Sequence, residues 1–322
     1  MAGCSGIGVY CGVASNLKLT QKLYAILQEL ADDSLKYHGF TGFQEAEEKS
    51  QVLSKSLPMF VIIFFTFGTI FPILGMSLWN IYMGNYQSEM WLLPYQAIPL
   101  IDKSNIFEWY FEFILQAFVG YVFVLTITTT VTFFGGCSYY IEACLNQFKH
   151  MFQEIDRNGE NIETVEKNIF NTIIFHNKII EFFEILAKVY SAAIFFHLIC
   201  NVLFFAGALY QTEQNLDNVG FDLIFNVLCV MEGLSYSFIL CYFANLATYS
   251  MSEIANVVCN SNWYSQPPKI QKLLLLIISR GHKKNEFMGF KIIYCSLESF
   301  TKVDTFSILF LTHSYHTILF LA

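Results

Sequence analysis

The sequence predicts an all-α, polytopic membrane protein with about five transmembrane helices and cytoplasmic helical extensions. Of its 322 residues, 55% are hydrophobic and 14% are charged, whereas soluble domains carry about 25% charged residues. Three segments of roughly twenty residues or more lack Asp, Glu, Lys and Arg, and a helix of that length crosses a hydrocarbon core of about 30 Å. Lipid is therefore the expected solvent for much of the chain.

Five predicted spans follow the N-terminal segment. The first two contain no charged residue, and the only ionisable residue of the third is His197. The fourth has Asp222 at its start and Glu232 inside it, and the last is short and holds His313 and His316. The predicted spans are 59–79, 113–140, 189–212, 221–252 and 303–322.

Basic residues predict the orientation of the chain. Seventeen of the 18 Lys and Arg residues lie in 1–57, 141–188 and 251–302, and the remaining one is Lys103. Short cytoplasmic loops are enriched in Lys and Arg, so five spans place the N-terminus in the cytoplasm and the C-terminus outside the plasma membrane. The chain then divides into a cytoplasmic segment with an amphipathic helix, 1–57, and a transmembrane domain, 58–322.

Four elements outside the apolar cores of the spans are also predicted. Leucines at helical spacing over 19–30 indicate an amphipathic helix. Apolar and charged residues interleave over 163–188, which predicts one helix running from the cytosol into the third span. The proline-containing segment 261–268 is an elbow, after which a helix resumes over 269–280. Prolines and aromatic residues in the loop 80–107 indicate a lid on the outer membrane surface.

Composition and motifs exclude several classes of function. The net charge is −8 and basic residues form no run, so nucleic acid is not an expected partner. Phosphate-binding loops, paired metal ligands and nucleophile motifs are missing, so neither catalysis, nor a cofactor, nor a metal is expected. None of the nine cysteines lies in the predicted outer segments 80–112 and 213–220, which argues against a disulfide framework.

Aromatic residues crowd the outer halves of the predicted spans. They could line a pocket for a small volatile or lipid-like ligand, which needs apolar walls and few polar groups, or they could simply face lipid. Glu232 is the one ionisable residue well inside a span, and it is either functional or hydrogen-bonded through Ser235 or Tyr236. His176 and His197 are interpreted as core residues. The pocket candidates are Trp79, Tyr82, Phe113, Gln116, Tyr121, Phe204, Phe205 and Phe225.

The C-terminal part of the chain carries a family signature. The segments NSNWYSQPPK, LLLLIISR and SLESFTKV, at 260–269, 273–280 and 296–303, resemble the corresponding signature of insect odorant receptors. Leu93-Pro94-Tyr95 in the outer loop, Asn146-Gln147-Phe148 after the second span and Cys241-Tyr242 in the fourth span are further similarities. The resemblance covers roughly residues 19–322.

This resemblance implies an odorant-gated cation channel in the dendrite membrane of a sensory neuron. The expected partners are a small volatile organic ligand, membrane lipid and an olfactory co-receptor in a heterotetramer. The segment between spans two and three lacks the long insertion of the co-receptor, which favours a ligand-tuning subunit. In the family the last helix lines the pore, and a hydrophobic constriction gates it. By resemblance the gate candidates are Ile318, Leu319 and Leu321, for which ordinary helix packing is the alternative.

Two departures from the family pattern accompany the resemblance. Family members have seven helices, and the predicted spans correspond to helices three to seven, so a chain truncated at its N-terminus is expected. Residues 304–311 are interpreted as an insertion before the final helix. A gustatory receptor of the same superfamily and a non-functional truncated receptor remain alternatives. The predicted orientation disfavours a G-protein-coupled receptor, and the lack of repeated halves disfavours a secondary transporter.

Overall fold

The computed structural model describes residues 16–34, 41–83, 106–157, 162–214, 221–283 and 285–302. Within these ranges the chain is almost entirely helical, and the predicted all-α membrane fold is confirmed. A short antiparallel hairpin, in which Gly289 pairs with Ile293, follows the last complete helix. The elements are α1 (Leu17–Ser34), α2 (Gly42–Phe65), α3 (Phe71–Tyr82), α4 (Ile106–Arg157), α5 (Ile162–Gln214), α6 (Phe221–Cys259), α7 (Pro268–Gly281), β1 (Met288–Gly289) and β2 (Ile293–Tyr294).

Four helical stretches of the described residues are long and apolar enough to cross a membrane. They overlap the first four predicted spans, whereas the fifth, 303–322, and most of the predicted outer lid lie outside the described residues. At 1.5 Å per residue, α4 and α5 are each roughly 80 Å long, so they extend far beyond a hydrocarbon core of about 30 Å. The stretches are Gly42–Tyr82, Ile106–Gln153, Glu163–Gly207 and Val230–Cys259.

A π-helical turn at Thr66–Ile70 joins α2 to α3. Pro72, at the start of α3, has no N–H to donate to the carbonyl four residues earlier, and its ring crowds that carbonyl. The Thr66 hydroxyl also bonds to the Ile62 carbonyl oxygen at 2.6 Å, a contact that often bends helices. The first membrane-crossing stretch is therefore two helices joined by a turn with a local physical cause.

The larger apolar core lies where α4, α5 and α6 meet α1, α7 and the hairpin. Phe134 and Phe182 are fully buried in it, and the Phe134 ring packs edge-on against Phe287 of the hairpin, with the ring centres 5.0 Å apart. Gly135 and Gly136 allow α4 to approach its neighbours, because a Cβ at either position would lie 2.7 Å from a side-chain atom of α2. This core packs the long helices α4, α5 and α6 against one another.

Helix α1 covers the predicted amphipathic helix and packs its buried leucines, Leu23 and Leu30, against this core. Lys178 of α5 holds it through Asp33, with Nζ 2.8 Å from the carboxylate oxygen. Helix α5 is continuous from Ile162 to Gln214 and so covers the predicted helix that enters the third span. The N-terminal helix is thus docked on the extension of a membrane-crossing helix.

The hairpin inserts its glycine against α5. A Cβ at Gly289 would lie 2.8 Å from the Phe195 backbone, so only glycine fits there without movement. The next two residues, Phe290 and Lys291, have positive φ angles of 47° and 61°, a conformation that is uncommon for residues with a side chain. The Phe290 N–H donates to Ser191 Oγ at 3.0 Å, which anchors the turn on α5.

Candidate functional site

A groove of about 240 Å³ lies between α2 and α6. Its walls are apolar except for one carboxyl and two hydroxyl groups, and this composition suits a small organic molecule. On each helix the lining positions recur at i, i+3, i+4 and i+7, so each helix presents a single face. The α2–α6 groove is lined by Leu57, Phe60, Val61 and Phe64 of α2 and by Met231, Glu232, Ser235, Tyr236 and Ile239 of α6.

Glu232 is the only carboxyl group in the groove lining. Within the described ranges no hydrogen bond or ion pair joins it to another residue. The Ser235 hydroxyl instead donates to the Met231 carbonyl oxygen at 2.7 Å. The Tyr236 hydroxyl lies 2.7 Å from Thr128 Oγ1 of α4. A hydrogen bond of Glu232 through Ser235 or Tyr236, which was one interpretation of the sequence, is therefore not formed.

The direction of the Thr128–Tyr236 hydrogen bond follows from counting protons. A hydroxyl group has one proton to donate. The Thr128 hydroxyl gives its proton to the Val124 carbonyl oxygen at 2.7 Å. Tyr236 must consequently donate to Thr128, and its proton points towards α4. Both hydroxyl donors of the groove lining are used elsewhere, and Glu232 faces the groove without a donor from Ser235 or Tyr236.

Packed aromatic residues of α2 and α4 lie behind the wall of the groove. Val61 and Tyr236 line the groove and also belong to an apolar cluster that contains Phe113, which is only 5% exposed. Tyr121 packs edge-on against Phe65 with ring centres 5.1 Å apart, and its hydroxyl lies 2.6 Å from Thr66 Oγ1. The predicted pocket residues Phe113 and Tyr121 are therefore part of the wall behind the groove.

The remaining pocket candidates lie in different surroundings. Trp79 and Tyr82, at the end of α3, are 60% and 80% exposed. The Gln116 amide nitrogen donates to a carboxylate oxygen of Glu112 at 2.9 Å. Phe205 is buried, and its ring lies against Gly233, where an added Cβ would come within 3.2 Å of it. The side chains of Phe204 and Phe225, and the gate candidates Ile318, Leu319 and Leu321, lie outside the described residues.

A second polar cluster joins α5 to α6. Asn201 donates from its amide nitrogen to the Ser237 hydroxyl, and the same nitrogen lies 3.2 Å from His197 Nε2. The adjacent cavity of about 10 Å³, lined in part by His197 and Tyr190, has room for roughly one water molecule. This cluster links two helices and offers no space for an organic ligand.

His176 is also buried, in keeping with its interpretation as a core residue.

The described residues contain no candidate metal site. Across the ranges that the structure covers, no three His, Cys, Asp or Glu residues come together as a candidate metal site. None of the cysteines described there forms a disulfide. With its apolar walls and its single carboxyl group, the α2–α6 groove is the candidate ligand site.

Comparison with known proteins assigns the chain to a family. Residues 11–308 match the profile of the 7tm Odorant receptor family. The chain belongs to the odorant receptor family. Over 118 residues it is 25% identical to odorant receptor 92a of Drosophila melanogaster, and this match covers 36% of the chain and 28% of that receptor. The matched part thus amounts to little more than a quarter of the length of that relative.

Solved structures agree with this odorant receptor assignment at the level of the fold. The insect olfactory receptor OR5 from Machilis hrabei is similar with a TM-score of 0.71 and 15% identity, over 96% of this chain and 77% of that chain. Its complex with eugenol gives a TM-score of 0.73 and 15% identity, over 97% and 78%. The odorant receptor described here is therefore a multi-pass helical membrane protein, and its family and fold are not those of an enzyme.

Proposed function

We propose that this odorant receptor is the ligand-tuning subunit of an odorant-gated cation channel and that a small volatile ligand binds in the α2–α6 groove. The family match over residues 11–308 is the observation that carries the proposal. The groove supports it, because about 240 Å³ is below the roughly 300–1,000 Å³ of sites for drug-sized molecules and so suits a smaller ligand. The family's solved receptor in complex with eugenol is a precedent for a ligand of that size.

Binding must favour one arrangement of the helices to open a channel. A ligand shifts a conformational equilibrium only by as much as it prefers one state over the other. A ligand between α2 and α6 touches both helices, and α6 is connected to α4 by the Tyr236–Thr128 hydrogen bond. Movement of α6 against α2 would pass through α7 and residues 285–302 to the final segment of the chain.

The pore belongs to the same proposal. The last predicted span, 303–322, would line it, with Ile318, Leu319 and Leu321 as a hydrophobic constriction that closes by excluding water. A co-receptor would complete the heterotetramer, with this subunit setting the ligand preference. The chain would lie in a sensory dendrite membrane with its N-terminus in the cytoplasm.

Current recordings test the proposal. The full chain is co-expressed with an insect olfactory co-receptor in a heterologous cell, its surface level is measured by biotinylation, and currents are recorded against a panel of volatiles. We expect cation currents above those of the co-receptor alone. A surface-exposed chain that adds no response to any volatile would contradict the proposed function.

A pair of matched variants tests the place of binding. Ser235→Phe puts a ring into the groove, whereas Ser252→Phe makes the same change at an exposed position nearer the other end of α6. Filling the groove should raise the half-maximal concentration of an active volatile by at least about tenfold, the effect of losing about 1.4 kcal/mol of binding free energy. The Ser252 variant should respond like the unmodified chain. Equal responses from the two variants would rule out the groove as the ligand site.

A further inference from the structure

The half-buried Glu232 lines the groove with its carboxyl group, and no residue that the structure describes donates a hydrogen bond to it. It lies eleven residues after the start of α6 at Phe221, which is about 16 Å along the helix at 1.5 Å per residue. Its neighbours on the groove face are Met231, Ser235 and Tyr236, and both hydroxyls donate elsewhere. The facing residues of α2 are all apolar. Among the described residues that line the groove, none carries a positive charge.

An acidic group in these surroundings needs a donor that the lining does not supply. Carboxyl groups within membrane helices are costly and usually pair with another group. In an apolar groove, a carboxyl group that finds no donor forfeits the hydrogen bonds that it would make in water. The missing donor can instead be brought by the molecule that occupies the groove. The chemistry of Glu232 then determines the class of that molecule.

We propose that the α2–α6 groove selects small apolar molecules that carry a basic amine, which donates to Glu232. This inference rests on the proposed function, since it takes the groove as the ligand site. An amine and a carboxyl group form a pair with no net charge whether the proton lies on nitrogen or on oxygen, and this neutrality suits an apolar site. A charge-assisted N–H···O bond is also roughly twice as strong as a neutral one.

The apolar part of the ligand has a defined place in the groove. The rings of Phe60 and Phe64 on α2 are stacked, with their centres 6.2 Å apart, and they face Glu232 across the groove. A ligand with an aromatic or short alkyl body would lie against these rings while its nitrogen reaches the carboxyl group. A free small molecule is the occupant, because the volume of the groove, about 240 Å³, suits a body of that size.

Binding measured on the purified full chain tests the inference without a need for channel currents. The probes are 2-phenylethylamine, 2-phenylethanol and ethylbenzene, which share one carbon skeleton. A ligand that binds the folded state raises the melting temperature, so titration in detergent gives an apparent dissociation constant for each probe. We expect 2-phenylethylamine to bind at least about tenfold more tightly than ethylbenzene and more tightly than 2-phenylethanol.

Two variants test whether Glu232 causes the preference for the amine. Glu232→Gln has nearly the same shape but no acid, and it should reduce the advantage of the amine over ethylbenzene to within about twofold, because the charge-assisted bond is lost. Glu253→Gln, the same change at the other end of α6, should keep the full advantage. An amine that binds no better than ethylbenzene or 2-phenylethanol would overturn the inference. So would an amine preference that persists in Glu232→Gln.

The outcomes separate this inference from the proposed function. Currents evoked by neutral volatiles, together with no amine preference in the binding assay, would leave the channel function standing and remove the role of Glu232. Amine binding that depends on Glu232 in a chain that adds no current would support the inference and contradict the channel function. The comparison of three probes on the unmodified chain decides the amine preference even if Glu232→Gln does not fold.

Discussion

The hydroxyl oxygens of Thr128 and Tyr236 lie 2.7 Å apart and connect the middle of α4 to the groove-lining face of α6. Tyr236 donates in this pair, because the Thr128 proton is given to Val124. The bond therefore sets the orientation of a groove-lining ring from a helix that does not itself line the groove. It also means that the Tyr236 hydroxyl does not donate to Glu232.

Removal of that hydroxyl should weaken the packing of α4 against α6 by a small amount. Tyr236→Phe deletes one interhelical hydrogen bond but leaves the Thr128 proton satisfied by Val124. Hydrogen bonds between membrane helices contribute about 0.6 kcal/mol on average, so we expect a loss of roughly 0.5–1.5 kcal/mol in the free energy of unfolding. Thermal unfolding of the purified chain measures it.

The matched control is Tyr242→Phe. Tyr242 is exposed, and its hydroxyl makes no hydrogen bond within the described part of the chain. This variant should unfold at the temperature of the unmodified chain. Equal melting temperatures for the two variants would mean that the Thr128–Tyr236 bond contributes nothing to stability.

Close packing of the hairpin on α5 gives a second prediction. Gly289→Ala would place a Cβ 2.8 Å from the Phe195 backbone, a contact that real structures essentially never show. Forcing a methyl group into a packed contact costs about 1–3 kcal/mol, so thermal stability should fall. At Gly75 an added Cβ meets nothing within 4 Å, and Gly75→Ala should be neutral or slightly stabilising. A Gly289→Ala chain as stable as the Gly75→Ala chain would contradict this packing.

The fold class could be predicted because it depends on composition and on where charged residues fall along the chain. Stretches without charge identify helices that can cross a membrane, and the amphipathic pattern of 163–188 runs without a break into an apolar segment. The structure accordingly has one helix from Ile162 to Gln214. The hairpin at 288–294 could not be predicted in this way, because its two-residue strands depend on contacts with α5.

The groove could not be predicted for a related reason. Leu57 and Phe64 have helical spacing, yet nearly every neighbouring position in that helix is apolar too, so the spacing marks no single face. Glu232 could be identified as a candidate from the sequence, because it is an ionisable residue inside an apolar segment. That the Tyr236 hydroxyl donates elsewhere depends on Thr128, more than a hundred residues earlier in the chain.

Thiol reactivity should differ sharply between two cysteines. Cys295 is buried, with its sulfur 3.8 Å from that of Cys241. The hydrogen bond with Cys241, together with burial, holds the pKa of the Cys295 thiol well above its ordinary value. Cys259 is exposed at the end of α6. Because the thiolate is the reactive form, N-ethylmaleimide should modify Cys259 at least about tenfold faster than Cys295.

Peptide mapping by mass spectrometry measures both rates in the folded protein. After denaturation the two cysteines should react at similar rates, which controls for differences in peptide recovery. Rapid modification of Cys295 in the folded chain would show that the segment around the hairpin opens readily.

The predicted orientation can be tested with a matched pair of lysine positions. Lys272, exposed on α7, belongs to the basic segments that should face the cytoplasm, and Lys103 is the one basic residue of the predicted outer segments. A cysteine at position 103 should therefore react with a membrane-impermeant maleimide in intact cells, and a cysteine at 272 only after permeabilisation. The unmodified chain gives the background from its native thiols. Labelling in the reverse order would place the N-terminus outside and would remove the basis for a cytoplasmic α7.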